Sequence, residues 1–372
     1  MKPEALKDLN VAVIGAGYAG ATTAYALHLM GAKVTVYEQA QEVKEVGAGI
    51  GLRPSTMDQF RQLGIFDAID AVTSPSDYFE ILTADSQRIA MEEWPEKDAF
   101  SADTHFVHRG DFIDALLNVL PAGMVKLGHR LSKIIDNGSS ATAVFDNGVT
   151  VNADLIVGAD GIRSQVRNQL FSDKPPVFAG EHAYRVVIPM ADTYGLVDDG
   201  NLRMYMGRGT KIYLLPLLHR NEVSFDVTCL ATDSTPAPVS SKEQLLKVVE
   251  GFDQRLIDIT EGLDMDQVNL RAVYDIDPVD NWHSNSVVLV GDAAHAMCHH
   301  QGQGANSAVL DAGALADSLK EANSVSDALS HYQANRKPVT DVLQHESRQG
   351  WSEDEVNDVF PNQHQGQIAA RS

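Results

Sequence analysis

The stretch that decides the fold is Asn10–Glu38, NVAVIGAGYAGATTAYALHLMGAKVTVYE. Asn10–Ile14 is an apolar run of strand length, and it leads straight into Gly15-Ala16-Gly17-Tyr18-Ala19-Gly20. A helix-like run over Ala21–Met30 follows, then a second strand-like run from Lys33 that ends in the acid Glu38. Strand, glycine turn, helix, strand and acid is the order a Rossmann dinucleotide site requires. Gly15 permits the tight turn, Gly17 lets the backbone approach a pyrophosphate, and Gly20 lets the helix pack close to the strand. The free N–H groups of the first helical turn favour negative charge. Glu38, 18 positions after Gly20, can accept hydrogen bonds from a ribose diol. A glycine turn without a ligand is the competing reading, and the full context around the glycines disfavours it.

The 372 residues leave room for two intimately packed domains, and a hydrophobic share of 44% is enough for a core. No apolar run reaches the ~18 residues of a membrane span. Met1–Leu9 is charged and polar, without the look of a secretory signal, so a cytoplasmic location is expected. Cys229 and Cys298 lack CxxC spacing and imply neither a disulfide framework nor zinc. A net charge of −22 argues against nucleic acid, which needs clustered Lys and Arg. Local arginines and helix ends can still hold a small anion.

Farther along, Gly47-Ala48-Gly49-Ile50-Gly51 is a second glycine cluster. Arg53-Pro54 opens a helix through Leu63, with Gly64 as its stop. Arg109 precedes a helix over Asp111–Leu120. The strand-like runs Arg130–Ile135 and Ala141–Phe145 lead to the hairpin turn Asp146-Asn147-Gly148. Leu155–Gly158 is a short buried strand that turns out through Asp160-Gly161, and Ser164 starts a helix. From about 180 to 230 the pattern becomes that of antiparallel strands, a separate β layer. Val287–Val290 returns to a buried strand, Gly304–Leu319 is a long helix, and two further helices are expected over Val325–Asn335 and Pro338–Gln349. The expected architecture is therefore α/β. A Rossmann-like nucleotide domain (1–178 and 281–350) is interrupted by an antiparallel β-sheet substrate domain (179–280) and finished by C-terminal helices. A polar tail occupies 351–372.

Asp160-Gly161 with Ser164 and Arg167 reproduces a DGxxSxxR pattern. Gly291-Asp292-Ala293-Ala294-His295, then Gly302-Gln303-Gly304-Ala305-Asn306 and Asp311-Ala312, reproduce GDAAH…GQGxN…DA. With the early glycines and Arg109, the chain resembles the single-component FAD-dependent aromatic hydroxylases, the class A flavoprotein monooxygenases of the salicylate, 3-hydroxybenzoate and 6-hydroxynicotinate hydroxylase type. The likeness runs from about Val11 to Arg336. It implies FAD as cofactor, NADH or NADPH as transient reductant, and hydroxylation of a small aromatic or heteroaromatic substrate by O2 through a C4a-hydroperoxyflavin. It further implies cofactor contacts at Gly15, Gly17, Gly20, Glu38, Gly49, Arg53, Arg109, Leu131, Asp160, Asp292, Gly302, Gly304, Ala305 and Asn306. Asp292, at a strand's carboxyl end, can accept from a ribityl chain. The N–H groups at Gly302–Asn306 can face the carbonyl edge of the flavin. A monomer or homodimer is expected, with no metal. His295, His299 and His300 cluster, but no acid or cysteine at proper spacing completes a zinc site.

The chain departs from its relatives in two places. Many carry proline after the GDAAH histidine and again a few residues on; here Ala296 and Met297-Cys298-His299-His300 contain none. Related pyridine hydroxylases place a histidine where this chain has Gly51. In the β layer, Tyr213 is the expected pocket hydroxyl, Arg203 the expected carboxylate clamp and His182 a further pocket candidate. Alternation lets only some of them point inward. Other readings keep the fold: hydroxylation of a polycyclic antibiotic, as in the tetracycline-inactivating type, or an FAD oxidoreductase without oxygen insertion. A flavin-binding regulator is the non-enzyme alternative.

Overall fold

The apolar runs named above pair into a parallel five-stranded sheet. Its order is Val287–Leu289, Leu155–Gly158, Asn10–Ile14, Lys33–Tyr37, Val125–Lys126. The computed structural model describes residues 6–42, 47–93, 104–207 and 209–349, so the expected tail at 351–372 lies outside the described residues. Register does the decisive work. Ile14 lies opposite both Tyr37 and Gly158, and Gly158 lies opposite Leu289. The carboxyl ends of four strands are thus level, and Gly15, Glu38, Asp160 and Asp292 all leave the sheet at one edge, where ligands bind in open α/β folds.

Helix Tyr18–Leu29 follows the first strand. Its Ala, Gly and Thr side chains are buried on nearly every side, because it is held between that sheet and helix Gly304–Glu321. Small side chains allow this close double packing. Helix Pro54–Leu63 starts with proline in its first turn and stops at Gly64 in the left-handed conformation, as expected. The last helix runs unbroken over Val325–Arg348 with Pro338 inside it, where two helices were expected. Tertiary bonds hold both halves in line: Arg336 to Asp311 on one side of the proline, Gln344 to the carbonyls of Ile276 and Ala296 on the other. They outweigh the lost ladder bond at Pro338.

The second layer is a seven-stranded sheet ordered Asn269–Asp275, Val177–Pro189, Glu222–Leu230, Thr210–Leu217, Leu202–Gly207, Tyr78–Thr83, Arg88–Glu93. Its last two strands come from residues 78–93, well before the inserted segment, so this sheet is not confined to the expected bounds 179–280. Tyr78–Thr83 pairs in parallel with Leu202–Gly207, a long-range partner that local periodicity cannot announce. Helices Lys242–Val248 and Gln254–Gly262, opened by a Ser241–Gln244 capping box and by Asp253, cover the outer face. The inner face looks toward the nucleotide domain. There Gly49 donates its N–H to Ser224 Oγ at 2.8 Å.

Candidate active site

The glycine turn has the shape a bound pyrophosphate needs. Gly15 has φ +104°, and a Cβ there would lie 2.4 Å from the Ala159 carbonyl oxygen. A Cβ on Gly20 would lie 2.0 Å from the Gly15 carbonyl oxygen. A Cβ on Gly17, in contrast, would meet nothing within 4 Å. Two glycines are therefore demanded by packing and the middle one leaves open space in front of a helix whose first turn has no side-chain cap. Glu38 closes one side, accepting from the N–H groups of Ala16 and Ala40 at 2.9 Å each. The His129 N–H donates to the Glu38 carbonyl at 2.8 Å, bringing the following strand beside the acid. Leu131 lies on that strand with its side chain buried in the core, so only its backbone can face a ligand. Arg109 donates its N–H to the Ala48 carbonyl at 2.9 Å, and its guanidinium lies 5.6 Å over the ring of Tyr18, next to Gly17.

The second and third motifs close on the first. Asp160 accepts from the N–H groups of Gln165 and Val166 through Oδ2, while its Oδ1 is buried without a hydrogen-bond partner. Burial raises the Asp160 pKa against the lowering effect of Ser164 and those N–H groups. A buried acceptor beside an open glycine turn suits a hydroxyl-bearing ligand. Gly291 has φ +58°, and a Cβ on it would meet Ala19 Cβ at 2.7 Å, so this glycine seats the third motif on the first helix. Asp292 is exposed at that edge, with Gly304 close to its Oδ1. Gly302, Gly304 and Ala305 form the uncapped start of helix Gly304–Glu321.

Other motif residues hold the frame. Arg167 is buried and donates to the carbonyls of Ala293 at 3.0 Å and Ile162 at 2.6 Å, riveting the second motif to the third. Asp311 accepts from Gly291 N–H, His295 Nε2 and Arg336 Nε, at 2.9, 2.6 and 2.7 Å; Asp311 and His295 are fully buried and Arg336 nearly so. Burial alone would raise its pKa. His295 and Arg336 overcome that and hold it at about 2. Asn306, expected as a cofactor contact, spends its whole side chain on protein. Its Oδ1 accepts from Arg53 N–H at 2.8 Å and Thr56 Oγ1 at 2.6 Å; its Nδ2 donates to the carbonyls of Gly51 and Gly302 at 2.9 and 2.8 Å. It joins the second glycine cluster to the GQG turn, leaving only its backbone for a ligand. Arg53 is likewise anchored there by its N–H.

Register sorts the β-layer candidates. Gly47 and Gly49 pack on Val187, Leu215 and Ser224, which marks the inner face. By alternation Arg185, Asp226, Tyr213 and Met204 share that face in one cross-strand row, with Ala183, Thr228 and Lys211 in the next. Arg203 and His182 fall on the opposite face, which corrects both expectations. Arg203 pairs there with buried Glu80 and, at 2.5 Å, with Asp199; His182 donates to the Asp233 carbonyl at 2.6 Å. Neither is free to clamp a substrate. Tyr213 does reach the inner face, and burial followed by the nearby Asp226 and Glu181 charges pushes its phenol pKa up.

Sequence reasoning missed the polar network around Tyr213. Arg185 Nε donates to Asp226 Oδ2 at 2.6 Å, and Thr228 Oγ1 donates to Asp226 Oδ1 at 2.9 Å. Having given its proton to Asp226, the Thr228 oxygen accepts from His299 Nε2, 3.0 Å away. His299 is kept neutral by burial and by the positive charge of Arg185. His300 Nε2 lies 2.7 Å from Glu181 Oε2. The loop that lacks the prolines is thus tied to the sheet by two histidines. A usable signal was present: in Val223-Ser224-Phe225-Asp226-Val227-Thr228-Cys229, apolar and polar residues alternate strictly, which isolates the polar face. Along this strand Ser224 anchors the second glycine cluster and Thr228 anchors the histidine loop. Asp226 lies midway in a window ~13 Å long at ordinary strand rise. Among the described residues no group of three or more His, Cys, Asp or Glu could hold a metal ion, and no helix is long and apolar enough to cross a membrane.

A family profile described as FAD binding domain matches residues 8–347. The 6-hydroxynicotinate 3-monooxygenase of Pseudomonas fluorescens is 32% identical over 349 residues, covering 88% of this chain and 87% of that protein. A salicylate hydroxylase solved as a substrate complex superposes with TM-score 0.78 at 25% identity, covering 92% of this chain and 88% of the other. HpxO of Klebsiella pneumoniae, solved with FAD and uric acid, gives TM-score 0.83 at 21% identity, over 95% of this chain and 89% of that one, and at that identity speaks for the fold alone. The chain belongs to the FAD-binding-domain family and is one of its FAD-dependent monooxygenases. The open turn at Gly17, the unpartnered Asp160 oxygen and the two uncapped helix starts fit that cofactor.

Proposed function

We propose that this chain hydroxylates a single aromatic or heteroaromatic ring, using NADH or NADPH as reductant, with the ring lying on the sheet face that carries Arg185, Asp226 and Tyr213. The observation that carries this reading is the window between Ser224 and Thr228, which faces the cradle and has Asp226 bonded to Arg185 and Thr228 at its middle. Its length suits one ring better than a fused polycycle. FAD, when bound, would relay the reducing equivalents of NAD(P)H to O2 and so supply the oxygen chemistry. The chain supplies position and dryness. Glu38 would hold the ribose diol, the Gly17 turn the pyrophosphate, Asp160 and Asp292 the linking hydroxyls, and the N–H groups of Gly302–Asn306 the electron-rich edge of the cofactor ring. Phe106, Leu215 and Leu217 wall one end of the window against water, and the His300–Glu181 contact closes the other. The Tyr213 hydroxyl, kept protonated, would donate to a polar group on the substrate ring. A panel of phenols, hydroxypyridines, anilines and aromatic acids, scored for stimulated NAD(P)H consumption and for a product heavier by one oxygen, tests the reading. Stimulation by a one-ring compound with oxygen incorporation supports it. Oxygen transfer only to polycycles, or consumption of reductant without oxygen in any product, contradicts it.

A further inference from the structure

Among the described residues, the one arginine on the inner row is already spoken for. Arg185 and Asp226 face each other in register across adjacent strands and are bonded at 2.6 Å. The other Asp226 oxygen is fixed by Thr228, which in turn is braced by His299. The carboxylate is therefore held rigidly in the middle of the floor, beside Tyr213 on the next strand. Arg203, the residue expected to clamp a substrate acid, is on the far side of the sheet, committed to Glu80 and Asp199.

Resting on the function proposed above, we propose that Asp226 determines substrate choice: it repels rings that carry a carboxylate and admits rings whose edge presents O–H or N–H donors, the catechols, hydroxypyridines and anilines. A ring carboxylate on this floor would stand against a fixed like charge, which disfavours it in a partly dry site. A ring hydroxyl or amine at the same place would donate to Asp226, a charge-assisted bond. His299, in the loop that lacks the prolines, serves this arrangement, because it holds Thr228 and Thr228 holds Asp226.

The test uses FAD-loaded protein and a matched pair of ligands, catechol and salicylate, which differ by a hydroxyl against a carboxylate. Binding is read as perturbation of the flavin absorbance, without turnover. In the parent, catechol binds at least ~10-fold more tightly than salicylate, a difference of about 1.4 kcal/mol. Asp226→Ala and the isosteric Asp226→Asn, checked for retained FAD and secondary structure, weaken catechol and tighten salicylate about tenfold by releasing Arg185. Equal affinities in the parent, or a preference unmoved in Asp226→Asn, overturn the proposal while leaving a one-ring hydroxylase intact. If neither ligand perturbs the flavin of the parent, the floor is not a ring-binding surface, and the proposal falls together with the reading beneath it. Misfolding of both variants leaves Thr228→Val, which must shift the preference in the same direction or the proposal is overturned.

Discussion

Two carboxylates are each gripped by an arginine and linked to a histidine, and they do different work. Asp311 is sealed, with its histidine, in the packing of the nucleotide domain, and its three partners converge on the backbone of Gly291 and on helix Val325–Arg348. Asp226 sits on an inner sheet face that the cradle looks onto, and its histidine is reached through Thr228. The first cluster belongs to a motif readable in the sequence and holds the scaffold. The second belongs to no motif and lines the place where a substrate would lie. Motif residues in this chain mostly position backbone, and the chemistry-facing side chains were placed by sheet register.

The largest effect separating the two clusters is expected at the sealed one. Asp311→Asn leaves the largely buried Arg336 without its counter-ion and loosens the turn at Gly291, costing roughly 3 kcal/mol. Urea unfolding should show that loss, and FAD should wash out on desalting; Asp226→Asn should unfold near the parent midpoint. Equal losses in both variants would erase the contrast. Gly20→Ala ranks next, at about 3 kcal/mol of overpacking, because its Cβ would strike the Gly15 carbonyl. Gly17→Ala should unfold like the parent yet bind FAD more weakly, so unfolding and flavin titration together separate the two glycines.

Acid gives a third contrast. The Asp311 pKa is about 2 in the fold against an ordinary value of 3.8. The unfolded chain thus binds more protons between those values. The stabilisation is complete above about pH 4 and disappears as the pH falls toward about 2, a loss of ~2 kcal/mol. Unfolding midpoints measured from pH 5 down to 2 should decline over that range, and the decline should shrink in Asp311→Asn. The Arg203 cluster supplies the smallest effect on stability. Arg203→Gln removes one partner from buried Glu80 while Arg88 remains beside it, for an expected cost of ~2 kcal/mol.

The nucleotide side was legible because its demands are local. A tight turn, a close helix approach and a strand-end acid each need a particular residue at a particular spacing, so Gly15, Gly20, Glu38 and the helix stop at Gly64 could be read directly. The substrate side depends on parity. Leu202-Arg203-Met204-Tyr205-Met206 carries bulky residues on both faces and gives no alternation from which to place Arg203. Its side is fixed only by pairing with Leu214, whose neighbours pack under the outer helices. Residues 78–93 escaped for a related reason, since their parallel partner lies more than a hundred positions away. The Val223–Cys229 alternation did hold the answer for Asp226.

The central claim is that the inner face, with Tyr213 and Asp226, receives the substrate and the face with Arg203 does not. Catechol titration of FAD-loaded Tyr213→Phe and Arg203→Gln, followed by flavin absorbance, tests it most directly. The account predicts that Tyr213→Phe weakens binding about tenfold, ~1.4 kcal/mol for a lost hydrogen bond, with Arg203→Gln within about twofold of the parent. A large loss in Arg203→Gln with Tyr213→Phe unchanged would contradict it.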